Sequence, residues 1–179
     1  MEFDLQPRLA GDLIELRPLR EEDFDALFQA ASDPLIWEQH PEPDRYKREV
    51  FQRFFNGAIE SKGAFAVIDR RSGRIIGSSR YCDLKPAERE VEIGWTFLAR
   101  AYWGGVYNGE LKTLMLDHAL RFVDRVVFVV GEHNLRSQKA LEKIGAKFLR
   151  ATDPDEHGMR KVIFATTREM RAEKVGRDP

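Results

Sequence analysis

The chain has 179 residues, 42% of them apolar and 33% charged, and a net charge of −1, which suits one soluble domain with a real core and excludes a disordered chain. So balanced a charge gives no overall pull toward nucleic acid or an anionic membrane, and a single cysteine, Cys82, rules out an internal disulfide. No stretch approaches the roughly 20 apolar residues of a membrane-spanning helix, and "MEFDLQPRLAGD" lacks the basic start and apolar run of a signal peptide, so a cytoplasmic protein is expected.

Residues 13–19, "LIELRPL", alternate apolar and polar side chains and predict a half-buried strand. Phe24, Leu27, Phe28 and Ala31 then recur at helical spacing behind an acidic first turn, and Asp33-Pro34 ends that helix. Pro41 and Pro43 argue against regular structure in "EQHPEPDRY". A second amphipathic helix is expected from about Lys47 to Ser61, burying Val50, Phe51, Phe54, Phe55, Ala58 and Ile59. "AFAVIDRRSGRIIGSSRYCD" reads as a hairpin turning at Arg71-Ser72-Gly73. "REVEIGWTFL" continues the meander, with Val91, Ile93, Trp95 and Phe97 on one face and Glu92 on the other.

A glycine turn follows, then a helix to about Asp124 that buries Leu111, Leu114, Met115, Ala119, Phe122 and Val123. "RVVFVV" is continuously apolar, as a strand covered on both faces is, and a crossover helix separates it from "VEIGWTFL", so the two are expected to run parallel. "NLRSQKALEKIG" reads as a short helix stopped by Gly145, and "AKFLRA" with "KVIFATT" as a closing antiparallel pair. The ends, about 1–11 and 170–179, are expected to be loosely ordered. The order predicts an α+β fold: a mixed, mostly antiparallel sheet with one central parallel βαβ unit and helices on both faces, in one domain over 1–179.

The turn "ARAYWGGVYNGE" carries the first chemical signal. The opening N–H groups of a helix lack internal partners and sit at the positive end of its dipole. Gly104 and Gly105 let an anion approach them; a tight strand-to-helix connection is the structural alternative. Neither G-x-x-x-x-G-K-[ST] nor G-x-G-x-x-G is present, which excludes the P-loop and dinucleotide fingerprints.

This order of elements, with this turn between the third meander strand and its helix, resembles the GNAT acetyltransferase superfamily. "ARAYWGGVYNGELK" and "NLRSQKALEKIGAKF" resemble the branch containing RimJ and RimL, which acetylate protein N-termini. The resemblance runs from about Leu13 to Thr167. It implies that the turn holds the pyrophosphate of acetyl-CoA, although of the usual Q/R-x-x-G-x-G/A pattern the first position is Ala101 and the last Val106. Val106 is a poor residue for φ > 0 and should use ordinary angles. The cofactor contacts implied are Phe97 and Leu98 through backbone, then Arg100, Trp103, Gly104, Gly105, Val106, Tyr107, Asn108, Asn134, Arg136, Ser137 and Lys139. The strand is implied to part from its parallel neighbour near Thr96 to Leu98.

For the reaction, the resemblance offers Glu92 as general base and Ser137 as partner of the departing thiolate. Glu92 also reads as an ordinary outward residue, and Asn134 as a helix N-cap. Trp37, His40, Tyr46, Arg80 and Tyr81 flank the implied acceptor side, with Trp37 and Tyr81 equally readable as packing residues. The four histidines show no ligand spacing, so no metal is expected. Three readings follow: an N-acetyltransferase for a protein α-amine, one for a small amine, and a non-catalytic acyl-CoA-binding module. A homodimer is implied by the resemblance alone.

Overall fold

The computed structural model describes residues 2–175. In chain order its elements are β1 (Leu9–Ala10), β2 (Ile14–Pro18), α1 (Phe24–Ala31), α2 (Arg48–Glu60), β3 (Ala64–Asp69), β4 (Ile75–Lys85), β5 (Glu90–Leu98), α3 (Val106–Ala119), β6 (Arg125–Gly131), α4 (Leu135–Lys143), β7 (Lys147–Ala151), β8 (Lys161–Thr167) and α5 (Arg168–Val175). The strands form one sheet in the order β1-β2-β3-β4-β5-β6-β8-β7. Every neighbouring pair is antiparallel except β5 and β6. The predicted α+β architecture with a single parallel pair is the fold.

Local signals explain most boundaries. The buried Asp23 accepts two 2.7 Å bonds from Arg17 and one of 2.9 Å from Arg20 N, fixing the turn that starts α1. Asn134 accepts from Ser137 N at 3.2 Å and caps α4; Gly145, at φ +87°, follows its last turn. The proline-rich connection is more ordered than expected, because Pro34–Ile36 and Pro43–Tyr46 each form a short 3₁₀ turn with proline at a position that needs no donor. α3 stops at Ala119, short of Asp124, and buries Lys112, Leu116 and His118 besides the expected Leu111, Met115 and Ala119.

Two cores lie on opposite faces of the sheet. One joins α3 and α4 to Leu16, Val67, Val91, Ile93 and Phe128; the other joins α1 and α2 to Ala64, Ala66 and Phe97. The N-terminal segment, whose sequence shows no periodic pattern, lies against the first core: Phe3 stacks on Phe122 with centroids 5.1 Å apart and meets Tyr81 edge-on at 5.2 Å. At the other end α5 reaches Val175, and residues 176–179 of the expected loose end lie outside the described residues.

Glu110 ties α3 to the start of β2. Its carboxylate accepts from Asp12, Leu13 and Ile14 N at 2.8, 2.9 and 2.8 Å. A Cβ on Gly11 would fall 2.4 Å from Glu110 Cδ, so only glycine permits this approach. Glu110→Ala strands three backbone donors and is expected to destabilise by about 2–4 kcal/mol. In urea the midpoint should fall with the slope m unchanged; a loss under about 1 kcal/mol would mean that water replaces the carboxylate.

Candidate active site

The parallel partners β5 and β6 pair only at Glu90, Val91 and Glu92 with Arg125, Val126 and Val127. Beyond Glu92 the strands diverge, earlier than the Thr96–Leu98 parting expected from sequence. On the other edge of β5, Ser78 faces Phe97 and Arg80 faces Gly94, so β5 carries one extra residue. That residue belongs to a β-bulge in which Trp95 takes φ +56°. A cleft of about 1140 Å³ opens between the diverging strands and runs from the connection around Trp37 to Arg45 across to the glycine turn and the start of α4.

The bulge overturns one expectation. Strict alternation puts Val91, Ile93, Trp95 and Phe97 on one face. The extra residue reverses the parity: Val91 and Ile93 stay with α3, while Phe97 joins the α1/α2 core and Trp95 packs on Phe54 of α2. Phe97 is a core side chain, whereas Trp95 is 47% exposed and lines the cleft.

Of the residues singled out in the sequence, Glu92, Ser137, Phe97, Leu98, Trp103, Gly104, Gly105, Asn108, Asn134, Arg136, Lys139, Trp37 and His40 all border this cleft. Six others do not. Tyr81 is buried in the α3-side core, its hydroxyl donating to Met115 O at 2.5 Å. Arg80 donates to the carbonyls of Phe54 and Gly57 in α2 and reaches the cleft only by stacking on Trp95. Tyr46 packs on the α1/α2 core. Arg100 is paired with Asp33. Tyr107 meets Tyr102 edge-on and donates to Asp69 at 3.3 Å. Val106 opens α3 with its side chain in solvent, as a contact made only through its backbone amide allows. These corrections share one cause: adjacent positions in a turn or strand point in different directions, and only packing decides which direction is the cleft.

The glycine turn has the backbone an anion site needs. Gly104 and Gly105 take φ +115° and +106°, while Val106 is not among the residues of positive φ. A Cβ at either glycine would meet nothing within 4 Å, so the approach to the α3 amides is open. Trp103 lies beside it, donating from Nε1 to Leu98 O at 2.9 Å, with the Arg136 guanidinium 4.2 Å from its ring. Arg136 also donates to Ile36 O at 2.8 Å, linking α4 to the opposite wall.

Electrostatics divide the cleft. Burial, reinforced by Asp83, pushes the Glu92 carboxyl up from its usual range. Its cross-strand partner Cys82 is pushed up to about 12, chiefly by burial and then by the Glu92 charge, and so keeps its proton. Burial and the charges of Arg45 and Arg136 take His40 down to about 4, leaving it neutral. On the α3 side Lys112, 5% exposed, donates to Thr96 Oγ1 at 2.5 Å, and Thr96 in turn meets Ser79 Oγ at 2.8 Å. No carboxylate among the described residues pairs with it, and burial takes Lys112 down to about 7. Sequence reading missed Lys112, Thr96, Arg45 and Trp95. Lys112 had a signal: it stands three and four residues before Met115 and Leu116, on the buried stripe of α3.

An amide-lined turn at a helix start, an open strand edge and a carboxylate of raised proton affinity together suit the capture of a phosphorylated acyl carrier beside a general base. The family model for the acetyltransferase (GNAT) domain matches residues 14–147. The chain belongs to this family. A GCN5-related N-acetyltransferase from Brucella melitensis shares the fold at a TM-score of 0.82 and 20% identity, over 96% of this chain and 85% of that one. Mycobacterium smegmatis RimJ, solved in complex with CoA-disulfide, superposes at 0.71 with 19% identity over 95% and 92%. Spermidine N-acetyltransferase from Vibrio cholerae, with CoA and spermine, does so at 0.70 with 14% identity over 90% and 99%. Comparison with curated proteins gives no match.

As a GNAT acetyltransferase the protein uses acetyl-CoA as co-substrate. The residues present fit it: the open Gly104–Gly105 turn suits the pyrophosphate, and the edge of β5 left without a β6 partner beyond Glu92 suits the amides of the pantetheine arm. Among the described residues no group of His, Cys, Asp and Glu could hold a metal ion, and no helix is long and apolar enough to cross a membrane.

Proposed function

We propose that this GNAT enzyme acetylates an α-amine, with a peptide or protein N-terminus as acceptor, in the manner of the RimJ and RimL branch, and that Glu92 is its general base. The observation that carries the reading is the place of Glu92: a carboxylate of raised proton affinity on the cleft, on the same face of β5 as Trp95 and opposite the α3 core. An α-amine with pKa about 7.7–8.0 is partly neutral near pH 7.5, whereas a lysine side chain near 10.4 is not. A single carboxylate raised by burial suits the first and is a poor match for the second.

Acetyl-CoA supplies an activated acetyl thioester. The chain's own residues would do the rest. The Gly104–Val106 amides and the positive end of α3 hold the phosphates, and exposed Lys139 adds charge on α4. Glu92 accepts the proton of the amine, directly or through one water. Ser137, one turn into α4 and ordered by the Asn134 cap, is a hydroxyl on the cleft that can hydrogen-bond the departing sulfur and relay a proton to it from solvent. The CoA thiol resembles cysteine, pKa about 8.5, so that help is modest and holding the two reactants together accounts for more of the rate.

Calorimetry with acetyl-CoA, followed by thiol-release assays on short peptides, tests this. Micromolar binding is expected, with turnover on a free N-terminus and none on the same peptide blocked there but carrying a free lysine. Equal use of both peptides would overturn the α-amine assignment, and thiol release with neither would overturn amine transfer to peptides.

A further inference from the structure

The acceptor side of the cleft holds an arginine whose donors the protein leaves unused. Arg45, on the Pro43–Tyr46 turn, places its guanidinium 5.5 Å from the Trp37 ring, 5.2 Å from Phe54 and 5.2 Å from Trp95. Arg80 stacks on the same Trp95 at 4.5 Å and on Phe54 at 5.4 Å. The two cations differ in one respect. Arg80 donates to the α2 carbonyls of Phe54 and Gly57, at 3.5 and 3.2 Å. Arg45 makes no hydrogen bond or ion pair among the described residues, although it lines the cleft. Glu42 is the acidic group whose charge reaches it, without pairing. His40 is neutral and offers no counter-charge.

Stacking on aromatic rings fixes a guanidinium in place and offsets part of its desolvation, but leaves its planar fork of N–H donors free for solvent or a ligand. A carboxylate is the group that matches that fork with two parallel bonds. A second cation brought to the same place would instead meet the charges of Arg45, Arg80 and Arg136 around the cleft.

Resting on the α-amine reading above, we propose that Arg45 anchors a carboxylate carried by the acceptor itself, so that the preferred substrate is an amine bearing a nearby carboxylate. That carboxylate belongs either to a free amino acid or to the side chain of an acidic first residue of a peptide. Trp95, in the bulge of β5, ties this anchor to the strand that also carries Glu92.

Steady-state assays at saturating acetyl-CoA test the proposal by pairing acceptors that differ in one charge: glycine with glycinamide, and peptides beginning with Asp against the same peptides beginning with Asn, with spermidine as the cationic control. Each rate is referred to the neutral fraction of the amine, because a free amino acid's amine is the more basic. A preference of about ten-fold or more in kcat/KM for the carboxylate member is expected, carried by KM, with spermidine unused. The two pairs distinguish a free amino acid from an acidic peptide as the source. Arg45→Met should erase the preference, and Arg45→Glu should turn it toward cationic acceptors, an inversion that misfolding cannot produce. Without acetyl-CoA, tryptophan fluorescence should report saturable binding of N-acetylglycine but not of its amide, and Arg45→Met should lose it. Equal use of amides and carboxylates, or a preference that survives in Arg45→Met, overturns the anchor. Amines acetylated without regard to charge would overturn it alone; binding of acetyl-CoA with no amine acetylated would overturn the α-amine reading as well.

Discussion

Glu92→Gln is expected to lower kcat/KM for the acceptor by about 10²–10⁴-fold, the range for loss of a positioned general base. The wild-type pH profile should rise as Glu92 loses its proton, with that inflection above the usual 4.5 because burial and Asp83 both disfavour its charge. A second rise, near the α-amine pKa of about 7.7–8.0, belongs to the substrate. In Glu92→Gln only the second should remain. An unchanged profile would remove Glu92 from the chemistry. The same shift has a stability consequence. A carboxyl raised on folding binds more protons in the native state than in the unfolded one, so stability falls as pH rises through that interval. Glu92→Gln should therefore be no less stable than the wild type at pH 7, which separates a catalytic loss from a folding defect.

The second large effect concerns Lys112. Burial moves it from 10.5 to about 7, so between those values the unfolded chain holds a proton that the native protein does not, and stability rises with pH. Below pH 7 both states are charged and the full cost of burying the ammonium is felt. At about 1.4 kcal/mol for each tenfold change in proton affinity, and with partial relief from Thr96, that cost is about 3–5 kcal/mol. Lys112→Met keeps the length and removes the charge. It should stabilise the protein by about that amount at pH 6, and the gain should fade as pH approaches 10. Urea unfolding at pH 6, 8 and 10 checks it, and a gain that does not vary with pH would show that the ammonium is solvated in the native protein.

Much of the fold could be read from particular residues. Phe51, Phe54, Phe55 and Ala58 mark the buried stripe of α2, and all four are buried. Asn134 and Gly145 mark the two ends of α4 by mechanisms that act within a few residues. The glycine turn was legible for the same reason, since positive φ and an open helix start are local demands. The site was less legible. Glu92, Ser137 and the turn could be named, but Tyr81 and Arg80, read as acceptor contacts, are claimed by Met115 and the carbonyls of α2. Arg45 carried no signal, because its meaning depends on three aromatic rings from Trp37, Phe54 and Trp95 that lie far apart in the chain.

By itself, then, the sequence determined the order of the elements from β2 to β8, the caps of α4, the glycine turn and the family, but not β1 or α5. Periodicity, capping and backbone freedom are short-range, so one chain suffices to read them. The tertiary structure alone decided which side chains face the cleft. One extra residue in β5 reverses the faces of everything after it. Only packing reveals that Lys112 sits without a carboxylate partner among the described residues, while Trp95 stands open to the cleft.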